Sequence, residues 1–195
     1  MISELIAAVG RDVKLRAADE ALIGAGFKER RFKRNAVLLQ CGEVAHEAFF
    51  LLSGTLHQFY IDEAGRERTC NFCFEKEFIT DLESFSQQTR SASSIKALTP
   101  VHCLSIRCTD LVALLQQSPA MAEFFRILVE RVAQRSIRRT KSLLSFSAEQ
   151  QLQELTDERP DIFQHVPQRY IAQYLGIAPE SLSRIRKRLM QAAKS

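Results

Sequence analysis

The period of the apolar positions changes twice along the chain. Over residues 2–9 and roughly 17–25 it is helical, the second stretch with Asp19 and Glu20 in its first turn, where the helix dipole favours anions. After Gly26 it gives way to short segments rich in aromatic and β-branched residues, at 27–32, 37–40, 48–52, 55–61, 68–74, 94–98 and 101–106. Turn residues separate them: Lys33-Arg34-Asn35, Gly42, Ser53-Gly54, Asp62 to Gly65, and Thr99-Pro100. About eight short strands at this spacing predict a sandwich, jelly roll or small barrel.

From Thr109 the helical period returns. Residues 110–117 predict a short helix, Ser118-Pro119 a new start with Ser118 as N-cap, and the pattern then runs to about Phe146. Phe125, Val129, Val132, Ser136, Arg139, Leu143 and Phe146 alternate steps of four and three, a coiled-coil type of seam, while Phe124, Leu128 and Arg131 are expected to face the strands. Two apolar stripes call for two partners, so a two-fold dimer about this helix is expected. Ser136 and Arg139 make the middle of the seam imperfect, and a helix lying along its own barrel is the alternative.

Ser147, with Glu149-Gln150 after it, marks a fresh helix over 148–157 and the start of a further domain. The segment to His165 leaves room for a very short strand pair or none. In residues 166–190, Ile171, Ala172 and Leu175 predict one helix, with Pro167 in its first turn and Gly176 just past its end. Leu182, Ile185 and Leu189 predict a second, opened by Pro179 and Glu180. That second helix carries Ser181, Ser183, Arg184, Arg186, Lys187 and Arg188 around its apolar stripe. Two short helices of this kind read as a helix-turn-helix with 179–190 as the recognition helix. A plain helical hairpin with a solvated basic face has the same composition; the small or apolar residues Ala172, Gly176 and Leu182 at the crossing favour the former.

Composition sharpens this picture. The chain has 195 residues, 46% of them apolar, without a run long enough to span a bilayer, and its N-terminus lacks the apolar block of a signal peptide. A cytoplasmic protein with no membrane partner is expected. Five cysteines, an odd number without framework spacing, fit a reducing compartment. The net charge of +4 is uneven: residues 126–148 and 166–195 each carry +5, and 149–165 carry −4. An anionic partner would therefore meet the C-terminal end.

The order of parts, together with Gly42-Glu43, the PhePheLeuLeuSerGly of 49–54, Gly65, GluPheIle at 77–79, ArgSerAla at 90–92, AlaLeuThrPro at 97–100, IleAla at 171–172, LeuGlyIle at 175–177 and LeuSerArg at 182–184, resembles the cyclic-AMP receptor and Fnr (Crp/Fnr) superfamily of bacterial transcription regulators over nearly the full length. The resemblance implies an α+β fold. Residues 1–117 would be a sensor domain of double-stranded β-helix or jelly-roll type, cyclic-nucleotide-binding-like. Residues 118–146 would be a long dimerisation helix using Phe125, Val129, Val132, Ser136 and Leu143. Residues 147–195 would be a helix-turn-helix, winged-helix-like DNA-binding domain.

Double-stranded DNA, a second copy and RNA polymerase are the partners the resemblance implies. It places DNA contacts at Arg169, Glu180, Ser181, Ser183, Arg184, Arg186, Lys187 and Arg188, with Glu180 and Arg184 reading bases and Pro179 replacing a further base-reading arginine. It places an effector, cyclic AMP or another small molecule, against Thr80, Asp81, Arg90, Ser91 and Ser136. Arg90 suits a phosphate, because its fork donates two parallel charge-assisted hydrogen bonds. Thr80 stands where the family has a glycine, and a β-branched residue resists the backbone conformations that let N–H groups crowd a phosphate. Asp81 is one methylene shorter than the family's glutamate. The alternative is a vestigial pocket in which Arg90 pairs with Asp81 or Glu83.

Other classes fit less well. Cys70 and Cys73 form a CxxC, which raises a redox or iron–sulfur sensor, but residues three apart on a strand point to opposite faces, and all five cysteines are expected as buried small side chains. A metal-dependent cupin would need clustered ligands, whereas His46, His57, His102 and His165 are scattered. With no nucleophile–base pairing either, neither an enzyme nor a metal site is expected. A cyclic-nucleotide-binding regulatory subunit without a DNA role is disfavoured by the C-terminal charge.

Overall fold

The structure, a computed structural model, describes residues 1–192. Two helices, α1 (Ile2–Val9) and α2 (Ala17–Gly26), precede eight strands in two four-stranded antiparallel sheets. One sheet has the order β1-β8-β3-β6, from Lys28–Phe32, Val101–Arg107, Glu47–Ser53 and Phe78–Ile79. The other has the order β2-β7-β4-β5, from Val37–Leu39, Ser94–Ala97, Leu56–Ile61 and Glu67–Cys73. Strand β3 is buried from Ala48 to Leu52 because the second sheet covers one side and helices the other, so its apolar run is continuous rather than alternating. The two-residue β6 and the one-and-a-half-turn α3 (Leu82–Gln87) were not legible as elements in the sequence.

After β8 the chain forms α4 (Cys108–Gln117) and the long α5 (Pro119–Ser145). Ser118 caps α5, its hydroxyl accepting from the Met121 N–H at 3.2 Å and donating to the buried Asp19 carboxylate at 2.6 Å. This ties α5 to α2 across a first core, which the inner faces of the two sheets form with α1, α2, α4 and the start of α5. The Ser118 hydroxyl and the Arg16 side chain and N–H hold the Asp19 carboxyl down at about 2. Phe124 and Leu128 face the core as expected, but Arg131 reaches Asp12, next to α1, rather than the strands. Phe125 is drawn into ring contacts with Phe78 and Phe124. Beyond it, every residue from 129 to 138 is exposed.

The C-terminal helices are α6 (Ala148–Glu158), α7 (Ile162–His165), α8 (Gln168–Leu175) and α9 (Pro179–Ala192). The Ser147 hydroxyl and Gln150 side chain form the capping box of α6. Among the described residues no strand follows β8, so a winged-helix-like form is corrected: the segment where a wing strand could fit is the single turn α7, which buries Ile162 completely. Residues 193–195 of the expected 147–195 domain lie outside the described residues. These helices share a second core with Phe72, Phe74 and Leu98 on the outer face of the β4–β5 sheet.

The turn from β3 to β4 depends on Gly54. Its φ is +97°, and a Cβ there would stand 2.4 Å from the Pro100 carbonyl oxygen, which is backbone and cannot step aside. Gly54→Ala should therefore lower the unfolding free energy by about 1–3 kcal/mol, read as a depressed thermal midpoint. Gly42→Ala, at φ +89° in open space, should cost less; equal losses for the two would contradict the steric account.

Candidate DNA-binding face and sensor cassette

Pro167 is the N-cap of α8 rather than a residue of its first turn as expected, and the helix ends at Gly176 in the left-handed conformation, φ +70°. The Gly176 and Ile177 N–H groups bond back to the Gln173 and Ala172 carbonyls at 3.1 and 3.0 Å, which satisfies the helix end and fixes the turn. Leu182 and Ile185 then anchor α9 in the second core. Their burial forces Glu180, Ser183, Arg184 and Lys187, at spacings of three and four, onto one exposed face.

The other residues of the expected DNA set are placed differently. Arg184 donates to the Ser181 hydroxyl at 3.2 Å. Arg186 lies over the Phe163 ring at 4.2 Å, and Arg188 donates to Glu149 at 2.9 Å, so both flank the face and are held by the protein itself. Arg169, exposed on α8, donates to the Tyr170 hydroxyl at 2.7 Å.

In the β-roll, Asp81 and Ser91 come together and Arg90 does not join them. Asp81 caps α3 by accepting from the Ser84 N–H at 3.1 Å. Its other oxygen accepts from the Ser91 hydroxyl at 2.6 Å and the Ser93 hydroxyl at 2.7 Å. Burial alone would raise the Asp81 carboxyl; the two serine hydroxyls and the Ser84 and Glu83 N–H groups outweigh it and hold it below the usual range. Gln58 donates to Ser93 at 2.7 Å, and the Thr80 hydroxyl is spent on the Glu47 carbonyl at 3.0 Å. Arg90 is exposed and, among the described residues, pairs with neither Asp81 nor Glu83, so the expected alternative pairing is not formed. Ser93 and Gln58 were missed in the sequence; the signal was the Ser-Ala-Ser spacing, which puts two hydroxyls on one side of an extended chain.

Ser136 is exposed midway along α5. Around it Val129, Val132 and Leu143 remain about half exposed, while Arg139 leaves the seam, stacking over Tyr174 at 4.0 Å and donating to the Tyr174 carbonyl and to Gln151. Leu144, outside the expected seam, is the most exposed large apolar residue among those described, at 82%.

Residues 29–118 match the cyclic nucleotide-binding domain family. No curated protein sequence matches the chain. Among solved structures, FixK2 from Bradyrhizobium japonicum has a TM-score of 0.74 at 14% identity, covering 86% of both chains. The c-di-GMP-responsive global regulator CLP from Xanthomonas campestris has 0.70 at 18%, covering 91% of this chain and 93% of its own. A transcriptional regulator of the Crp/Fnr family from Eubacterium rectale has 0.69 at 17%, covering 91% and 85%. The fold is that of the Crp/Fnr regulators.

Within the Crp/Fnr fold the cysteines divide. Cys73 and Cys103 are buried, and burial pushes both thiols up, Cys103 to about 12, so neither is a ready nucleophile. Cys41 and Cys70 are exposed, against the expectation of burial. Cys70 is the extra residue of a bulge where the register steps from Gln58↔Asn71 to Phe59↔Thr69. No helix among the described residues is long and apolar enough to cross a membrane.

Asp81→Asn removes the charge that two buried hydroxyls address and should cost about 1–3 kcal/mol in chemical denaturation. Because the Asp81 carboxyl is depressed, its contribution is complete above the ordinary carboxylate range and fades as pH falls below it. The variant should lose that part of the acid sensitivity; an unchanged acid limb would contradict the role.

Proposed function

We propose that the chain is a homodimeric transcription regulator that binds a two-fold DNA operator through α9 of each copy. The observation carrying this reading is the division of α9 into a face buried by Leu182 and Ile185 and an exposed face of Glu180, Ser183, Arg184 and Lys187. A glutamate accepts from cytosine N4, and an arginine fork matches guanine O6 and N7. Lys187 and the flanking Arg169, Arg186 and Arg188 supply charge to phosphates, the last three by exchanging internal partners for the backbone.

The exposed run of 129–138 with Val129 and Val132 supports pairing of two α5 helices. A lone α5 gains nothing from apolar residues left in water, whereas burying both valines against a copy removes apolar surface from solvent. The effector is less well served by a cyclic phosphate. Ser91 has one hydroxyl proton, already directed at Asp81, so a phosphate would compete with a carboxylate for it. Of the expected effector residues only Arg90 is cationic, and it stands in an exposed setting.

The test is binding to duplex DNA carrying candidate palindromes across a salt series, with and without cyclic AMP and cyclic GMP. Arg184→Ala should cost about 1–3 kcal/mol and relax one base position, whereas Lys187→Ala should weaken all sequences alike and lower the salt slope by about one. No binding at low salt would overturn the reading. Val132→Glu should shift sedimentation toward the monomer and weaken operator binding in parallel; an unchanged dimer would remove α5 from the interface.

A further inference from the structure

His57 lies where the C-terminal helices meet the β-roll. It sits on β4 opposite Phe72 of β5 and Lys96 of β7, and its side chain points out of the sandwich, since it stacks on Phe59 at 4.9 Å and against the Tyr170 ring of α8 at 4.4 Å. It is 0% exposed, and among the described residues neither ring nitrogen has a hydrogen-bond partner. Buried imidazole nitrogens are normally satisfied, so two orphans on one ring need a reason. The same contact is completed by the Thr69 hydroxyl donating to Gln173 at 2.9 Å and by Phe72 against Tyr174 at 5.4 Å. The bulge at Cys70 makes it possible, because it brings Thr69 and Phe72, three apart, onto one face.

We propose that this contact between α8 and the outer face of β4–β5 is a latch that one proton, taken up by His57, opens. The neutral ring fits an apolar slot between Phe59 and Tyr170. The charged groups that act on it are Lys96 from β7 and Arg169 from α8, both cationic, and Arg169 already occupies the Tyr170 hydroxyl. β5 offers Phe72 and Thr69, and α8 offers Tyr170 and Gln173, whose oxygen is taken by Thr69. Among the described residues an imidazolium in this slot meets no acceptor and two cations. Released into water, it is solvated.

The proton therefore binds the open arrangement better than the closed one. Burial first, then Lys96 and Arg169, hold His57 down at about 4 in the closed contact, against 6.5 for a free imidazole. Closure is fully supported above 6.5 and loses about tenfold in its equilibrium constant per pH unit between 6.5 and 4. Mild acid thus loosens α8, which carries the turn into α9. The latch rests on the contact itself and not on what α9 binds.

The test reads the contact directly. In the full chain bearing Thr69→Cys, the introduced thiol is covered by Gln173 when the latch is closed. Its labelling by an aromatic disulfide reagent, followed by peptide mass spectrometry and corrected for the pH dependence of a free thiol, reports opening. Opening should rise about tenfold from pH 7.5 to 5.5 and should not change with pH once His57→Phe is added. The same rise with His57→Phe, or none without it, would overturn the latch. On the unsubstituted protein, nuclear magnetic resonance titration should show His57 neutral to below pH 5, and titration near 6.5 would overturn it too. DNA binding enters neither readout, so failure of the operator reading is seen separately.

Discussion

The seating of Tyr170 and Tyr174 on the outer face of β4 and β5 is the contact on which the placement of the whole C-terminal region depends. Helix α5 leaves the first core after Leu128 and continues through the exposed residues 129–138, so it cannot by itself hold the helices beyond it. They are held by the second core, in which Phe72, Phe74 and Leu98 of the β-roll stand among the apolar residues of α6 to α9. Arg139 over Tyr174, Ser142 on Glu154, and Arg159 between Phe74 and Glu77 lie around its margin. The exposed face of α9 inherits its direction from these contacts.

Much of this was legible because period and punctuation agree. Ser118-Pro119, Ser147 with Gln150, and Gly176 each mark a helix end for a local steric or hydrogen-bonding reason, and such signals need no tertiary knowledge. The β-roll strands were readable for the same reason. The illegible elements were those whose justification is distant: β6 exists because Phe49 and Phe50 pair with it, and α3 because Asp81 is turned inward to two serines.

The candidate site shows the same division. The exposed strip of α9 follows from spacing alone once Leu182 and Ile185 are known to be buried. That Arg186 and Arg188 are bound within the protein depends on Phe163 and Glu149, far away in sequence and unmarked in composition. The cassette residues were found by resemblance, but their partners were not. His57 was one histidine among four until Tyr170 covered it, and an orphaned ring nitrogen is a property of the fold rather than of any motif.

The bulge at Cys70 has a further meaning. Strict alternation would send Thr69 and Phe72 to opposite sides of β5 and leave one of them inside the sandwich. One unpaired residue shifts the phase, so Thr69 and Phe72 of a single edge strand both face α8, while Cys73 still enters the first core. The hairpin thus behaves as a two-sided fitting whose sides are set independently. Residues facing α8 can be exchanged during evolution without disturbing the sandwich, but gain or loss of one residue between them changes both at once.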